Sequence, residues 1–371
     1  MAPSSQSFQL PDILGVINSI ELRTNGHCRY ATEASEKWLT ETGILSVDEL
    51  SYIHPTKIGL LSALCFPKCD FPQLRVLTDF CMLFFYSGLR ENAEGETFRL
   101  WDVDHSQLSA QIAAGSVGEM DYKSGLDLLK GHVLLRQLHQ RLVNLASAAS
   151  ETWNARFKKS VLDYQAAQEV RRMNRSRNDV PSLEEYTATA REMHGNSVLL
   201  DLAELLEVFE FPDLRGTEAE KIIHMKHAAL DVIAWSLDVV SYQLQQYRGS
   251  TYNLVAVLMH HNSLSVQGAM NQCGNMIKQA FSSFCSTERA ILDSIDSSKS
   301  SILSWMWTAK EISADTEAIS EKIKRYIRAL KDCISAVIHW AYETELFFGK
   351  KGSEIRTFGW VFVDHIPVIT E

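Results

Sequence analysis

Six side chains between His224 and Gln245 set the chemical question in this 371-residue chain. His224, His227, Asp231, Asp238, Ser241 and Gln245 follow steps of three and four, with Ala234 filling the gap, so a helix would line them up on one face. The opposite positions carry Ile222, Ile223, Ala229, Val232, Ile233 and Val240. An imidazole or a carboxylate in apolar surroundings has its pKa displaced by desolvation and can give or take a proton. A blander arrangement fits the same spacing: His224 and His227 touch solvent at the outer end, and Asp231 pairs with His227 one turn away.

The elements that must position these residues are helices. Residues 73–87 are apolar nearly all round and predict a helix buried on most sides. Periodicity predicts further helices over 33–42, 57–65, 126–148, 151–172, 198–209, 218–247, 253–260 and 265–286, with more helix up to Trp340 and Phe348. In the 126–148 segment His132, Arg136 and His139 fall on the polar face. Ser182 with Glu185 forms a capping box after Pro181, and Gly195 interrupts the helix that follows. Residues 91–118 read as a polar loop, Arg171, Arg172, Arg175 and Arg177 as a basic turn, and the Ser/Asp-rich stretch 293–301 as an exposed connection or helix start. Only 360–364 alternates like a strand. The expected fold class is all-α.

Composition narrows the function. With 46% hydrophobic and 22% charged residues the chain is an ordinary globular mixture. Its net charge of −10 argues against nucleic acid or an anionic membrane as partner. The seven cysteines are scattered and lack zinc-site spacing, as expected of reduced core thiols in a cytoplasmic protein. The start of the chain has no apolar targeting core, and no apolar run approaches the roughly 18 residues that span a bilayer. A phosphate-binding glycine loop and a Gly-x-Ser-x-Gly elbow are both missing, and His260-His261 lacks a third zinc ligand.

The stretch Trp235-Ser-Leu-Asp-Val-Val-Ser-Tyr-Gln-Leu-Gln-Gln-Tyr-Arg-Gly249 resembles a segment of fungal class I terpene synthases, Trp-x-Asn-Asp-Ile-x-Ser-Tyr-x-x-Glu-Gln-x-Arg-Gly. Other pieces are similar in the same order: Phe8-Gln-Leu-Pro-Asp12, Leu60-Leu-Ser-Ala-Leu-Cys-Phe-Pro67, Pro181-Ser-Leu-Glu-Glu-Tyr186, and Trp340 with Glu343 ahead of Phe348-Gly349. The resemblance covers residues 8–349. It implies a single-domain α-helical bundle of the class I terpenoid synthase type with a central apolar pocket, a flexible leader at 1–7, and a C-terminal extension at 350–371 packing on the same domain.

In that family an Asn, a Ser and a Glu four residues apart hold magnesium; here those positions are Leu237, Ser241 and Gln245. The leading Asp of the family's first metal motif falls on Gly88. Asp79 cannot replace it, lying on the opposite face and about 13 Å away along the axis. Glu91, Asn92, Asp238 and Ser241 remain as weak metal candidates. The family's terminal Arg-Tyr pair is replaced by Leu346-Phe347, while its diphosphate-sensing Arg matches Arg191. The resemblance thus implies catalytic roles for Asp238, Ser241 and Arg191, and substrate contacts from Arg248, Gln245, Phe84, Trp235, Trp340 and Phe347. Phe80, Phe85, Trp305 and Trp307 are further pocket candidates.

The implied function is a terpene-cyclase-like enzyme of fungal specialised metabolism that cyclises or isomerises a terpenoid, or captures it with water or an amine, C–N bond formation included. It would do so without the usual magnesium-driven diphosphate ionisation. Two alternatives stand beside it: a magnesium-dependent sesquiterpene synthase acting on farnesyl diphosphate, and a non-catalytic terpenoid-binding protein. Magnesium is the expected cofactor only where the family's usual activity is kept. The expected partner is a small isoprenoid, and the expected state is a monomer or homodimer.

Overall fold

The computed structural model describes residues 7–94, 125–177, 179–208, 216–303 and 310–363, nearly all of them helical. At the centre runs the helix Thr217–Tyr247. From Ala228 to Leu244 almost every position is buried, Asp231, Ser236, Asp238, Ser241 and Gln243 included, because other helices pack on this part from several sides; the polar first turns stay at the surface. It packs against the helices Leu183–Met193, Leu254–Asn262, Val266–Leu303 and Lys310–Glu343. A second apolar helix, Phe71–Glu94, lies against Cys28–Glu41 and Ile58–Cys65, and Glu151–Arg177 packs on Leu183–Met193 and Asn196–Val208.

Local chemistry places the breaks. Ser182 accepts from the Glu185 amide while Glu185 caps Ser182 in return, so the predicted capping box forms. Gly195 sits at φ +68° between Leu183–Met193 and Asn196–Val208. A β-carbon there would stand 2.3 Å from the Phe84 ring, so both the turn and the close approach require glycine.

Five expectations are corrected. The 126–148 segment is not one helix but Gly125–Leu128, two 3₁₀ turns and His139–Leu145. Its His132 is not on a polar face: the ring is buried, and Nδ1 accepts from the Leu135 amide at 3.2 Å, a local bond that competes with regular helix. The basic stretch 171–177 is not a turn but the end of Glu151–Arg177. The helix predicted to stop at 286 continues as Val266–Leu303 through the Ser/Asp-rich stretch. Residues 91–94 extend Phe71–Glu94, and the rest of the expected 91–118 loop lies outside the described residues. The strand at Trp360–Phe362 is present, antiparallel to Ser7–Gln9 with Phe8 opposite Val361. All seven cysteines are unpaired, and burial pushes the Cys81 thiol up to about 12. No described helix is long and apolar enough to cross a membrane.

Candidate functional site

One cavity opens at the C-terminal end of the central helix, and its walls differ in character. The apolar wall is Phe84, Phe85, Leu237, Trp340, Leu346 and Phe347. Its rings are interlocked: Trp340 lies edge-on to Phe85 at 5.7 Å and to Phe347 at 5.9 Å, and its indole N–H donates to the Thr56 carbonyl at 2.8 Å. The polar wall comprises Tyr164, Gln168 and Arg171 from Glu151–Arg177, His194 beside Gly195, and Ser241, Gln245 and Arg248 from the central helix and its C-cap. No carboxylate is among the described residues that line it.

Of the residues expected at the site, Phe84, Trp340, Phe347, Ser241, Gln245 and Arg248 come together here. Gln245 Nε2 donates to Ser241 Oγ at 2.9 Å, which leaves Gln245 Oε1 buried without a partner. Asp238 does not line the cavity. Its fully buried carboxylate turns behind the wall, where Tyr186 donates its hydroxyl proton to Oδ2. Asn253 fixes the backbone there by donating to the Asp238 carbonyl at 2.8 Å. The buried Tyr186 phenol is raised well above its ordinary pKa by desolvation first and by Asp238 next. Arg191 also stands off the cavity, donating from Nε and Nη2 to the two Asp231 oxygens at 2.6 and 2.8 Å. Asp231 therefore pairs with Arg191 and not with His227, whose pKa is lowered by burial and by Arg191. His224 meets Ser283 Oγ at 2.9 Å, and Trp235 stands among the core-packing side chains away from the cavity. The side chains of Glu91, Asn92 and Arg175, and residues Trp305 and Trp307, lie outside the described residues.

Magnesium wants near-octahedral oxygen ligands rich in carboxylate. At the positions implied for it, Leu237 has no donor atom, the Ser241 and Gln245 oxygens are neutral, and Asp238 faces Tyr186. Gly88 lines the cavity where the first motif's Asp is expected, and the space in front of it is open. The described residues do not fit a magnesium cluster.

His194 was missed from sequence. Its ring reaches behind the wall, with Nε2 at 3.7 Å from Asp238 Oδ1. The one signal available was its place next to Gly195, three residues after Arg191. Arg171 was visible only as part of a basic cluster; the helical course of 171–177 is what brings it to the cavity.

This all-α bundle, with an aromatic-walled cavity beside a long central helix, has the class I terpenoid synthase architecture. Solved structures share it: a single-substitution variant of cucumene synthase superposes with a TM-score of 0.65 at 17% identity, covering 88% of this chain and 98% of that one. A linalool/nerolidol synthase from Streptomyces clavuligerus gives 0.65 at 15% identity, over 86% and 98%. The family model "Terpene synthase family 2, C-terminal metal binding" matches residues 112–283. Among named proteins, sesquiterpene synthase Agr1 of Cyclocybe aegerita is 28% identical over 94% of this chain and 90% of its own length. Alpha-muurolene synthase of Coprinopsis cinerea is 24% identical over 95% and 77%. Along nearly its whole length the chain is thus similar to fungal sesquiterpene synthases, and it shares the fold of class I terpenoid synthases.

Proposed function

We propose that the cavity transforms a terpenoid by cyclisation, isomerisation or capture with water or an amine, C–N bond formation included, without magnesium-driven ionisation of a diphosphate. The observation that carries this reading is the chemistry of the lining: two arginines, a histidine and neutral hydroxyls and amides, with no carboxylate among the described residues. An ordinary class I site gathers magnesium on carboxylates to neutralise the charge that develops on the leaving group. Arg171 and Arg248 instead bring positive charge directly, which repels a dication and suits an anionic or electron-rich group. Leu237, Leu346 and Phe347 extend the apolar wall into positions where the family uses polar contacts. Losing even one charge-stabilising donor typically costs about 10²–10³ in rate.

The second reading is a magnesium-dependent sesquiterpene synthase; the relatives' names support its sesquiterpene synthase part, and the description of the family model, C-terminal metal binding, supports its metal. One comparison separates the two. The purified protein is incubated with farnesyl or geranylgeranyl diphosphate, and with a preformed sesquiterpenoid plus a short alkylamine, each with magnesium and with chelator. We expect no magnesium-dependent release of hydrocarbon, and conversion of the preformed terpenoid that survives chelation. Ordinary magnesium-dependent turnover to hydrocarbon would overturn the proposal.

A further inference from the structure

We propose that His194 is the base of this site and that Asp238 is its positioning residue; the inference rests on the reading of the cavity as a place where a terpenoid meets a nucleophile. It starts from two orphans. Asp238 Oδ1 and His194 Nε2 are both buried and both without a hydrogen-bond partner, and they face each other at 3.7 Å. Buried polar atoms are seldom left unmatched, since each costs about 1–3 kcal/mol. The gap is too narrow for a bridging water and too long for a hydrogen bond, so a shift of less than about 1 Å would close it. Catalytic pairs are often this loose before substrate binds.

The surroundings decide which partner can move. Asp238 is held on the far side: Tyr186 donates to Oδ2, and Asn253 clamps the backbone. His194 is at the C-cap of Leu183–Met193, next to a glycine at positive φ, and lines the cavity with a partly exposed side chain. With Nε2 turned toward a carboxylate, the neutral ring is held as the Nε2–H tautomer, and Nδ1 is left as the basic nitrogen for the cavity. Among the described residues no Lys or Arg pairs with Asp238, so the cation best placed to do so is the imidazolium that forms when His194 takes a proton.

The step this serves is capture of an electrophilic terpenoid carbon. The substrate carries its own electrophile, a double bond conjugated to a carbonyl. The nucleophile, water or a primary or secondary amine, uses its lone pair to make the new C–O or C–N bond. The π bond breaks, and its pair moves through the carbonyl to be quenched by the proton that His194 afterwards returns. The nucleophile's O–H or N–H bond breaks, the bonding pair stays on the heteroatom, and the proton passes to His194 Nδ1. The apolar wall holds the hydrocarbon, and the polar wall that carries His194 holds the nucleophile.

Two measurements test this. Nitrogen-15 spectra of histidine-labelled protein, with the His194 signal assigned by its loss in His194→Gln, should show the Nε2–H tautomer, and Asp238→Asn should turn it into a mixture. A dominant Nδ1–H form, or a spectrum indifferent to Asp238→Asn, would refute the pairing whether or not a substrate has been found. With the preformed sesquiterpenoid and alkylamine, His194→Gln should lower kcat about 10²–10⁴-fold, the usual span for a lost general base, with KM changed less than about threefold. An unchanged kcat would refute the catalytic role. If the wild-type protein converts no terpenoid, it is the proposed function that fails, and the tautomer still decides the pairing.

Discussion

Asp79 and Asp238 are both wholly buried, each on a long helix of the core, yet their surroundings are opposites. Asp79 is matched twice over: Arg75 and Arg141 both pair with it, Ser35 adds its hydroxyl, and the two guanidinium groups lie over the Trp38 ring at 5.6 and 5.2 Å. Asp238 receives one neutral donor, Tyr186, and a long contact from the Leu254 amide at 3.4 Å; its other oxygen waits beside a histidine. A buried carboxylate is tolerated when it is paired and hydrogen-bonded. Asp79 meets that condition permanently and belongs to the frame. Asp238 meets it fully only when a proton reaches His194, which ties its charge to events in the cavity.

The sharpest way to break this comparison is to remove both carboxylates in turn. Asp79→Ala strands two arginines and should cost about 3–5 kcal/mol in chemical denaturation. Asp238→Asn keeps an oxygen for Tyr186 and should cost about 1 kcal/mol or less, while reducing turnover. Equal losses of stability would erase the distinction. A smaller effect is expected at the turn beside His194. Gly195→Ala places a methyl against Phe84 and strains a positive φ, for about 1–3 kcal/mol. A thermal melt reads that loss, and displacement of Phe84 should alter the product ratio.

The last effect concerns His132, a buried histidine away from the cavity lining. Burial lowers its pKa to about 3, so the folded protein keeps it neutral while the unfolded chain protonates near 6.5. Between those values the unfolded state binds more protons. The stability it contributes is present above pH 6.5 and is lost as pH falls toward 3, by at most about 1.4 kcal/mol per pH unit. His132→Asn, which keeps an acceptor for the Leu135 amide, should flatten the fall measured by urea unfolding at pH 7, 6 and 5. An unchanged slope would show that His132 is protonated in the fold.

Much of the frame was legible in the residues. The apolar run through residues 73–87 could only be a buried helix, the Ser182–Glu185 box set a helix start, and Gly195 set a break. The errors share a cause. Residues 126–148 keep leucine spacing, but the His132 ring takes the Leu135 amide and the chain goes into 3₁₀ turns, a competition that periodicity does not register. Residues 293–303 are poor in apolar spacing and are carried by the helix before them.

The chemistry at Ser241 and Gln245 was also readable, because helical spacing alone puts them on one face with Leu237. Spacing could not say which way Asp238 turns, since Tyr186 and His194 lie far away in the chain on another helix and its cap. Nor could it say that Asp231 is held by Arg191, or that Arg171 reaches the cavity. What the sequence by itself determined was the helical frame and its apolar faces, because these follow from residue type and local period; that Gly88, Leu237 and Gln245 stand where acidic or amide metal ligands are expected is what the family resemblance implies. Only the tertiary structure decided which carboxylates are neutralised and which one backs the cavity, because a charge's partner is set by how separate helices meet in space.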